Sequence, residues 1–342
     1  MGEALLIDNE ESFTPPPSVD PPPRPSGAAR YHTPVLLEES MRALAVKPGG
    51  RYVDCTLGGG GHFQALVDRL GAGGLAIGVD RDPDAIAWCE AHVRRGEAAV
   101  VIRQRRFSRF YEVLDELRLA DVDGVLLDLG VSSRQLFAEK RGFSYMRETA
   151  LDMRMDPSDA RTAADILQSS STADLARILS EYGEIRNPLR MAETIKRCEK
   201  SRRLRTSGDL KDCLRQEYGA TLNVKMLAKL FQALRIAVND ELAELRDCCE
   251  RATAALGQGG RLVVISYHSL EDRFVKNFMR DNEKGCMCPP SVPVCVCGKV
   301  QTLKRITHKA IMPSSLEVNV NPASRSARLR AAEKITVSAV NT

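Results

Sequence analysis

The chain has no apolar run approaching the roughly 20 residues a helix needs to cross a bilayer. Its first residues, MGEALLIDNEESF, are acidic where a secretory leader has a basic start and a long apolar run. Leu6 stands where a myristoylation motif needs Ser or Thr. The ten cysteines follow no secreted disulfide framework. Charge is not in excess either, since a formal net charge of +4 over 342 residues names no partner by itself. These absences argue against a membrane or secreted protein and predict a cytoplasmic one with reduced thiols. What remains, 43% hydrophobic and 27% charged residues, is the composition of a soluble globular chain long enough for one large or two medium domains.

Residues 1–29 gather prolines (Pro15 to Pro17, Pro21 to Pro23, Pro25) among Ser, Asp and Gly, and cannot fill a core, so a disordered tail is expected. Order is expected from YHTPVLLEES, Tyr31 to Ser40. From Arg51 to Asp128 short apolar strands (near Tyr52–Cys55, Leu75–Val79, Ala99–Ile102 and Val125–Asp128) alternate with helical stretches at Phe63–Leu70, Pro83–Arg94 and Arg109–Leu117. That rhythm predicts a parallel, doubly wound α/β sheet covered on both faces. It stops from about Leu136 to Leu234, where only helical patterns occur, and resumes with an amphipathic helix over Val238–Leu256 closed by GQGG (Gly257 to Gly260). A strand, Arg261 to Ser266, a helix from about Leu270 to Asp281, and an alternating segment, Arg325 to Val337, suited to a closing strand or hairpin, complete the pattern. The domain reading is therefore a discontinuous core, 30–136 and 235–342, with a helical insert at 137–234.

The most informative stretch is RYVDCTLGGGGHF, Arg51 to Phe63, in which a strand ending in Asp54 breaks into Gly58 to Gly61 before a helix. A strand, a glycine turn and a helix N-terminus make a site for a nucleotide-like ligand, because backbone N–H groups point at it and no side chain intervenes. The dinucleotide fingerprint G-x-G-x-x-G fails in both registers, its third glycine falling on Phe63 or Gln64. Asp80 ends the second strand, where such folds bind ribose hydroxyls. Phe107, after the third strand, suits either a flat ligand ring or the core equally well. With Asp128 ahead of LGVSSRQL and with SYHSLEDR (Ser266 to Arg273), four polar sites fall beyond the carboxyl ends of strands, where open parallel sheets bind ligands.

The chain resembles the RsmH (MraW) family, which methylates N4 of a cytidine in the decoding region of small-subunit ribosomal RNA. The similar stretches are HTPVLLEE (32–39), TLGGGGH (56–62), GVDRDP (78–83), LLDLGVSSRQL (126–136), RGFSYM (141–146), LDMRMDP (151–157), FQALRIAVNDEL (231–242), GGRLVVISYHSLEDR (259–273) and NPASRSARLR (321–330). They span the chain from about residue 31 onward. The resemblance implies a class I (Rossmann-like) S-adenosylmethionine-dependent methyltransferase sheet with an inserted helical domain for RNA recognition. It implies Gly60, Gly61 and His62 at the methionine part of the cofactor, Asp80 at the ribose, Phe107 and Asp128 at the adenine side, and Gln135 closing over it. The 16S RNA or the 30S particle is the implied partner, without membrane and with a homodimer allowed. Two segments depart from the family pattern, YGEIRNPLRMAETI (182–195) and LNVKMLAKL before Phe231, both in the insert.

Methyl transfer to an amino group conjugated with its ring needs acceptors that draw the amino hydrogens out of the plane. Asp128 and the carbonyls of Leu129 to Val131 are the expected acceptors, and Tyr267 and His268 the expected base contacts, with Asp128 and His268 named as catalytic. A target base must be unpaired or flipped. Phosphate contacts are expected from Arg103, Arg105 and Arg106, from Lys196 to Arg205, from Lys299, Lys304 and Arg305, and from Arg325, Arg328 and Arg330. No metal is assigned to catalysis. Cys286, Cys288, Cys295 and Cys297 form a C-x-C, six-residue gap, C-x-C set that zinc could bridge, at a spacing other than the commoner C-x-x-C. Two other readings are a nicotinamide-dependent dehydrogenase and a catalytically silent RNA-binding or assembly protein on the same fold.

Overall fold

The computed structural model describes residues 34–335 except 133, 134, 137–140, 202, 287 and 290–296. The expected tail, 1–29, and Cys295 lie outside these residues. Strands β1 (Arg51–Asp54), β2 (Leu75–Asp80), β3 (Ala99–Gln104), β4 (Val122–Asp128) and β5 (Leu256–Ser266) are parallel. Two more, β6 (Leu303–Arg305) and β7 (Arg328–Lys334), pair antiparallel, and β7 is also antiparallel to β5. The sheet order is β3-β2-β1-β4-β5-β7-β6, the class I methyltransferase arrangement with β7 reversed.

The central strands β1, β2, β4 and β5 are largely apolar because both faces of the sheet are covered there. Alternation sends Tyr52 and Leu126 to one face, under α1 (Leu37–Leu44), α2 (Gly61–Leu70) and α3 (Pro83–His92). It sends Val53, Val125 and Leu127 to the other, which is packed by α4 (Phe110–Glu116) and by two helices from later in the chain. Full burial of each side chain of this size stabilises by about 1.5–3 kcal/mol, so a one-residue slip in any central strand is excluded by packing alone.

The helical insert holds a third apolar cluster of its own, including Leu167, Leu179, Ile195, Leu210, Leu214 and Leu230. It is built from α5 (Ala163–Ser169), α6 (Thr172–Glu181), α7 (Pro188–Ser201), α8 (Ser207–Tyr218) and α9 (Val224–Asn239). Helix starts are fixed locally: Thr162 with Asp165 and Thr206 with Asp209 form capping boxes, and Ser171 and Asn223 cap α6 and α9.

Three expectations are corrected. The helix expected over Val238–Leu256 is two: α9 runs on to Asn239, past the expected insert boundary, and α10 (Glu241–Ala255) starts anew after Asp240, whose φ of 55° breaks the hydrogen-bond ladder. The glycines of GQGG do not cap a helix. They lie inside β5, where the register shifts between Val122 and Gly124 of β4, because a Cβ at Gly260 would stand 2.9 Å from the carbonyl of Gly257. Finally, the thiols are not all reduced. Packing of α7 on α8 brings the Cα atoms of Cys198 and Cys213 to 6.1 Å, within disulfide reach, and the two sulfurs are bonded. After β5 the chain enters α11 (Ser269–Glu283), then β6, α12 (Ser315–Val320) and β7.

Candidate active site

The carboxyl ends of β1, β2, β4 and β5 open onto a cavity of about 320 Å³. Its walls include the glycine turn (Gly58, Gly59, Gly61) with His62, Asp80 at the end of β2, Phe107 after β3, Asp128 to Ser132 after β4, and Tyr267 after β5. The turn is built from the sequence outward. Asp54, fully buried, accepts from the Thr56 amide at 3.1 Å, and the Thr56 hydroxyl in turn accepts from the Asp128 amide at 2.6 Å. Asp80 accepts from the Gly58 amide at 2.8 Å and from the Asp82 amide at 2.9 Å. Each carboxylate oxygen of Asp80 thereby keeps a lone pair for a ligand hydroxyl.

Burial without a cation alongside pushes the Asp54 and Asp80 carboxyls up to about 6, although backbone amides (and, for Asp54, His62) pull the other way. His62 is buried, which lowers its pKa and keeps it neutral. One ring nitrogen, Nε2, lies 3.0 Å from the Val35 carbonyl, which can only accept, so Nε2 carries the hydrogen and Nδ1 is bare. That Nδ1 stands 3.5 Å from Oδ2 of Asp128, while the Tyr267 hydroxyl donates to Oδ1 at 2.8 Å. Burial, with Asp128 alongside, raises the Tyr267 phenol well above its ordinary value, so it stays a donor.

The sequence matches the model of the MraW methylase family over residues 29–335. The chain belongs to that family. A ribosomal RNA small subunit methyltransferase H from Heliobacterium mobile is 45% identical over 309 residues, 89% of this chain and 99% of that protein. One from Geotalea uraniireducens is 46% identical over 308 residues, again 89% and 99% of the two chains. The chain is therefore a methyltransferase using S-adenosylmethionine, and the dehydrogenase reading falls.

The cavity fits that cofactor on its own chemistry: buried carboxylate lone pairs for hydroxyls at Asp80, a side-chain-free turn, and an aromatic face at Phe107. Of the residues assigned to this methylase's cofactor, Gly61, His62, Asp80, Phe107, Asp128 and Gln135 line the cavity. Gly60 does not. It makes the turn with φ +77°, and a Cβ there would point away, 2.9 Å from the Cys89 sulfur. Gln135 spends its amide on the loop, donating to Asp82 at 2.7 Å and accepting from the Ser132 amide at 3.0 Å.

His268 is also placed elsewhere than expected. It is not among the lining residues but caps α11, its Nδ1 accepting from the Glu271 amide at 3.4 Å with Nε2 3.1 Å from the Glu271 carboxylate. Glu271 does line the cavity, and it accepts from the Tyr267 amide at 2.9 Å. Burial alone would raise its pKa, but His268 and Arg235 hold it below the ordinary range.

Much of the expected phosphate-binding charge is consumed internally. Arg103 and Arg105 pair with Glu112 and Glu116, Arg106 with Asp159 and Glu244, Arg305 with Glu283, and Arg328 and Arg330 with Asp272. The sequence reading missed the seam that joins insert to core. There Arg81 reaches Asp159 and the Asn239 carbonyl, Arg141 reaches Asp82, and the Asn239 side chain bonds the backbone of both Met153 and Met155. Arg81 and Asp82 stand directly after Asp80, and Asn239 lies at the α9–α10 break. The turn signal N-D at that break was the one local clue.

Proposed function

We propose that this methylase transfers a methyl group to N4 of a cytidine in small-subunit ribosomal RNA near the decoding centre, acting in the cytoplasm on the RNA or the 30S particle. The names of its relatives support an RNA of the small subunit as the substrate, and the observation that carries the residue roles is the set His62–Asp128–Tyr267 at the cavity wall.

Bound S-adenosylmethionine supplies an electrophilic methyl group on a sulfonium. Asp80 holds the ribose hydroxyls, Phe107 packs on the adenine, and Gly61 with the backbone beside it accommodates the methionine part. Asp128, its Oδ1 pinned by the Tyr267 hydroxyl, accepts a hydrogen bond from the cytosine amino group through its remaining lone pairs and takes the proton that the methylated amine sheds. Bare Nδ1 of His62 lies next in line for that proton. Orientation of this kind lowers a barrier by about 7–11 kcal/mol at best. His268 acts at one remove, as a positioning residue that fixes Glu271 and through it the Tyr267 backbone.

The base reaches Asp128 only when extruded from its helix. Lys200, Arg203, Arg205, Lys304 and Arg325 are exposed, and with half-buried Lys299 they have no ion-pair partner among the described residues. They are the cations of those clusters left for phosphate, three in the insert that serves RNA recognition and three on the core. Each phosphate they meet steepens the fall of binding with salt by about 0.7 in log–log slope on single strands.

The test is mass-spectrometric mapping of N4-methylcytidine in small-subunit RNA from cells with the chain, without it, and with Asp128→Ala. The modification should vanish on deletion and return with the natural chain but not with the variant. Methylation persisting in the deletion strain would assign the reaction to another protein, and full rescue by Asp128→Ala would remove the role given to that carboxylate.

A further inference from the structure

Outside the methyl-transfer site, one cluster of soft donors has no use in the reaction. Between α11 and β6 the chain makes a loop whose base is closed by ordinary polar contacts. The Thr302 amide donates to the Asn282 carbonyl at 3.0 Å, and Arg305 pairs with Glu283. Above that base the sulfurs of Cys286, Cys288 and Cys297 all lie within 4.8 Å of one another. Cys286 and Cys297 are exposed, so apolar burial, the usual reason for thiols to cluster, does not gather them.

The separation fits a shared metal ion. Zn–S bonds of about 2.3 Å at tetrahedral angles set the sulfur–sulfur edge of a zinc–thiolate centre at about 3.8 Å. The sulfurs of Cys286 and Cys297 stand 3.8 Å apart. A disulfide would bring them to about 2 Å, so the two sulfurs touch without being bonded to each other. The backbone turns in the same sense, for the Cys288 amide points at the Cys286 sulfur from 3.3 Å. An N–H aimed at sulfur stabilises the thiolate, the form that ligates metal. Lys284 and Lys299 flank the cysteines in sequence and offset the negative charge that a zinc centre with several thiolates carries.

We propose that Cys286, Cys288 and Cys297 ligate a structural zinc ion, with one further donor completing the tetrahedron. Each thiol that ligates gives its proton to solvent, and no oxidant or reductant is required. The ion staples the two ends of the loop above its hydrogen-bonded base and so fixes Lys299, one of the cations left for phosphate. It has no part in methyl transfer, and the inference stands whether or not the RNA reading holds.

The full chain, purified under reducing conditions without chelator or metal-affinity resin, is analysed for zinc and iron by inductively coupled plasma mass spectrometry. One zinc per chain is expected, falling below a tenth in Cys286→Ser/Cys297→Ser. Heat of binding of S-adenosylhomocysteine should be unchanged in the double variant, which shows that it folds. Should the variant fail to fold, titration of the metal-stripped natural chain with Co²⁺ gives the second measurement. A thiolate-to-cobalt charge-transfer band displaced by one equivalent of Zn²⁺ supports the site. Absence of zinc from the natural chain even after incubation with zinc sulfate, zinc retained by the double variant, iron with inorganic sulfide in its place, or a Cys286–Cys297 disulfide in an unreduced peptide map would each overturn it.

Discussion

Acidic side chains at two places in this molecule behave oppositely. At the cofactor edge, Asp54 and Asp80 have no arginine beside them, and burial pushes both up to about 6. Where α11 meets β7, and in the insert, Asp272 and Asp152 also suffer burial, yet Arg330 and Arg328 in one case and Arg154 in the other hold them below the ordinary carboxylate range. The paired acids are architecture: their charge is satisfied in the chain itself. Asp80, which lines the cavity, is left to a ligand, and the fold carries its desolvation cost until one arrives, whereas Asp54 lies behind the wall and is spent on the Thr56 amide.

The comparison is broken most forcefully at Asp128, the cavity acid given a chemical role. Asp128→Ala should lower the methylation rate by about 10²–10⁴-fold, the usual worth of a positioned base, with little change in melting temperature. A comparable loss of stability would move Asp128 to the architectural group. The reverse pattern is expected for Asp272→Ala, which strands the buried Arg330 guanidinium and should cost about 3–5 kcal/mol in denaturant unfolding. Because its folded pKa is depressed, Asp272 contributes stability that is present above the ordinary carboxylate range and disappears as pH falls through that range and below.

A smaller effect separates the two groups by pH. Asp80 titrates at about 6 in the empty protein and must be ionised to accept from a ribose. Calorimetric affinity for S-adenosylhomocysteine should therefore weaken by about tenfold per unit below that pH and level off above it. A flat profile, or one unchanged in Asp80→Asn, would refute the ribose contact. For the empty protein the sign is opposite to that of Asp272. Raised acids make the folded state bind protons more tightly, so Asp54 and Asp80 lose the chain stability as pH rises from the carboxylate range to about 6. The smallest effect belongs to the insert, where Thr206→Ala removes a capping box and should cost about 1 kcal/mol of stability while leaving cofactor affinity untouched.

The legible and illegible parts divide by range. Strand ends at Asp54, Asp80 and Asp128 were readable because an apolar run that stops at an acid is a local pattern, and Phe107 because it follows such a run. The partners of Asp82 and Arg81 were not, since Arg141 and Asp159 lie more than fifty residues along the chain and only the docking of the insert brings them over. The bulge at GQGG resembles a helix stop in one dimension, and only its pairing with β4 distinguishes the two. Arg103 to Arg106 resemble a basic patch until Glu112, Glu116 and Glu244 fold onto them. His268 resembles a catalytic base until α11 begins beneath it.

Placing β7 between β5 and β6, instead of outside them, has a consequence for how the molecule is made. As the polypeptide leaves the ribosome, β5 gains its second neighbour only after Arg328–Lys334 has emerged, and until then one long flank of that strand offers its amides to any passing chain. Loss of the segment from Arg328 onward would not trim the periphery. It would leave a sticky border next to the catalytic pocket, and such truncated chains should precipitate in cells well before their melting behaviour could be measured.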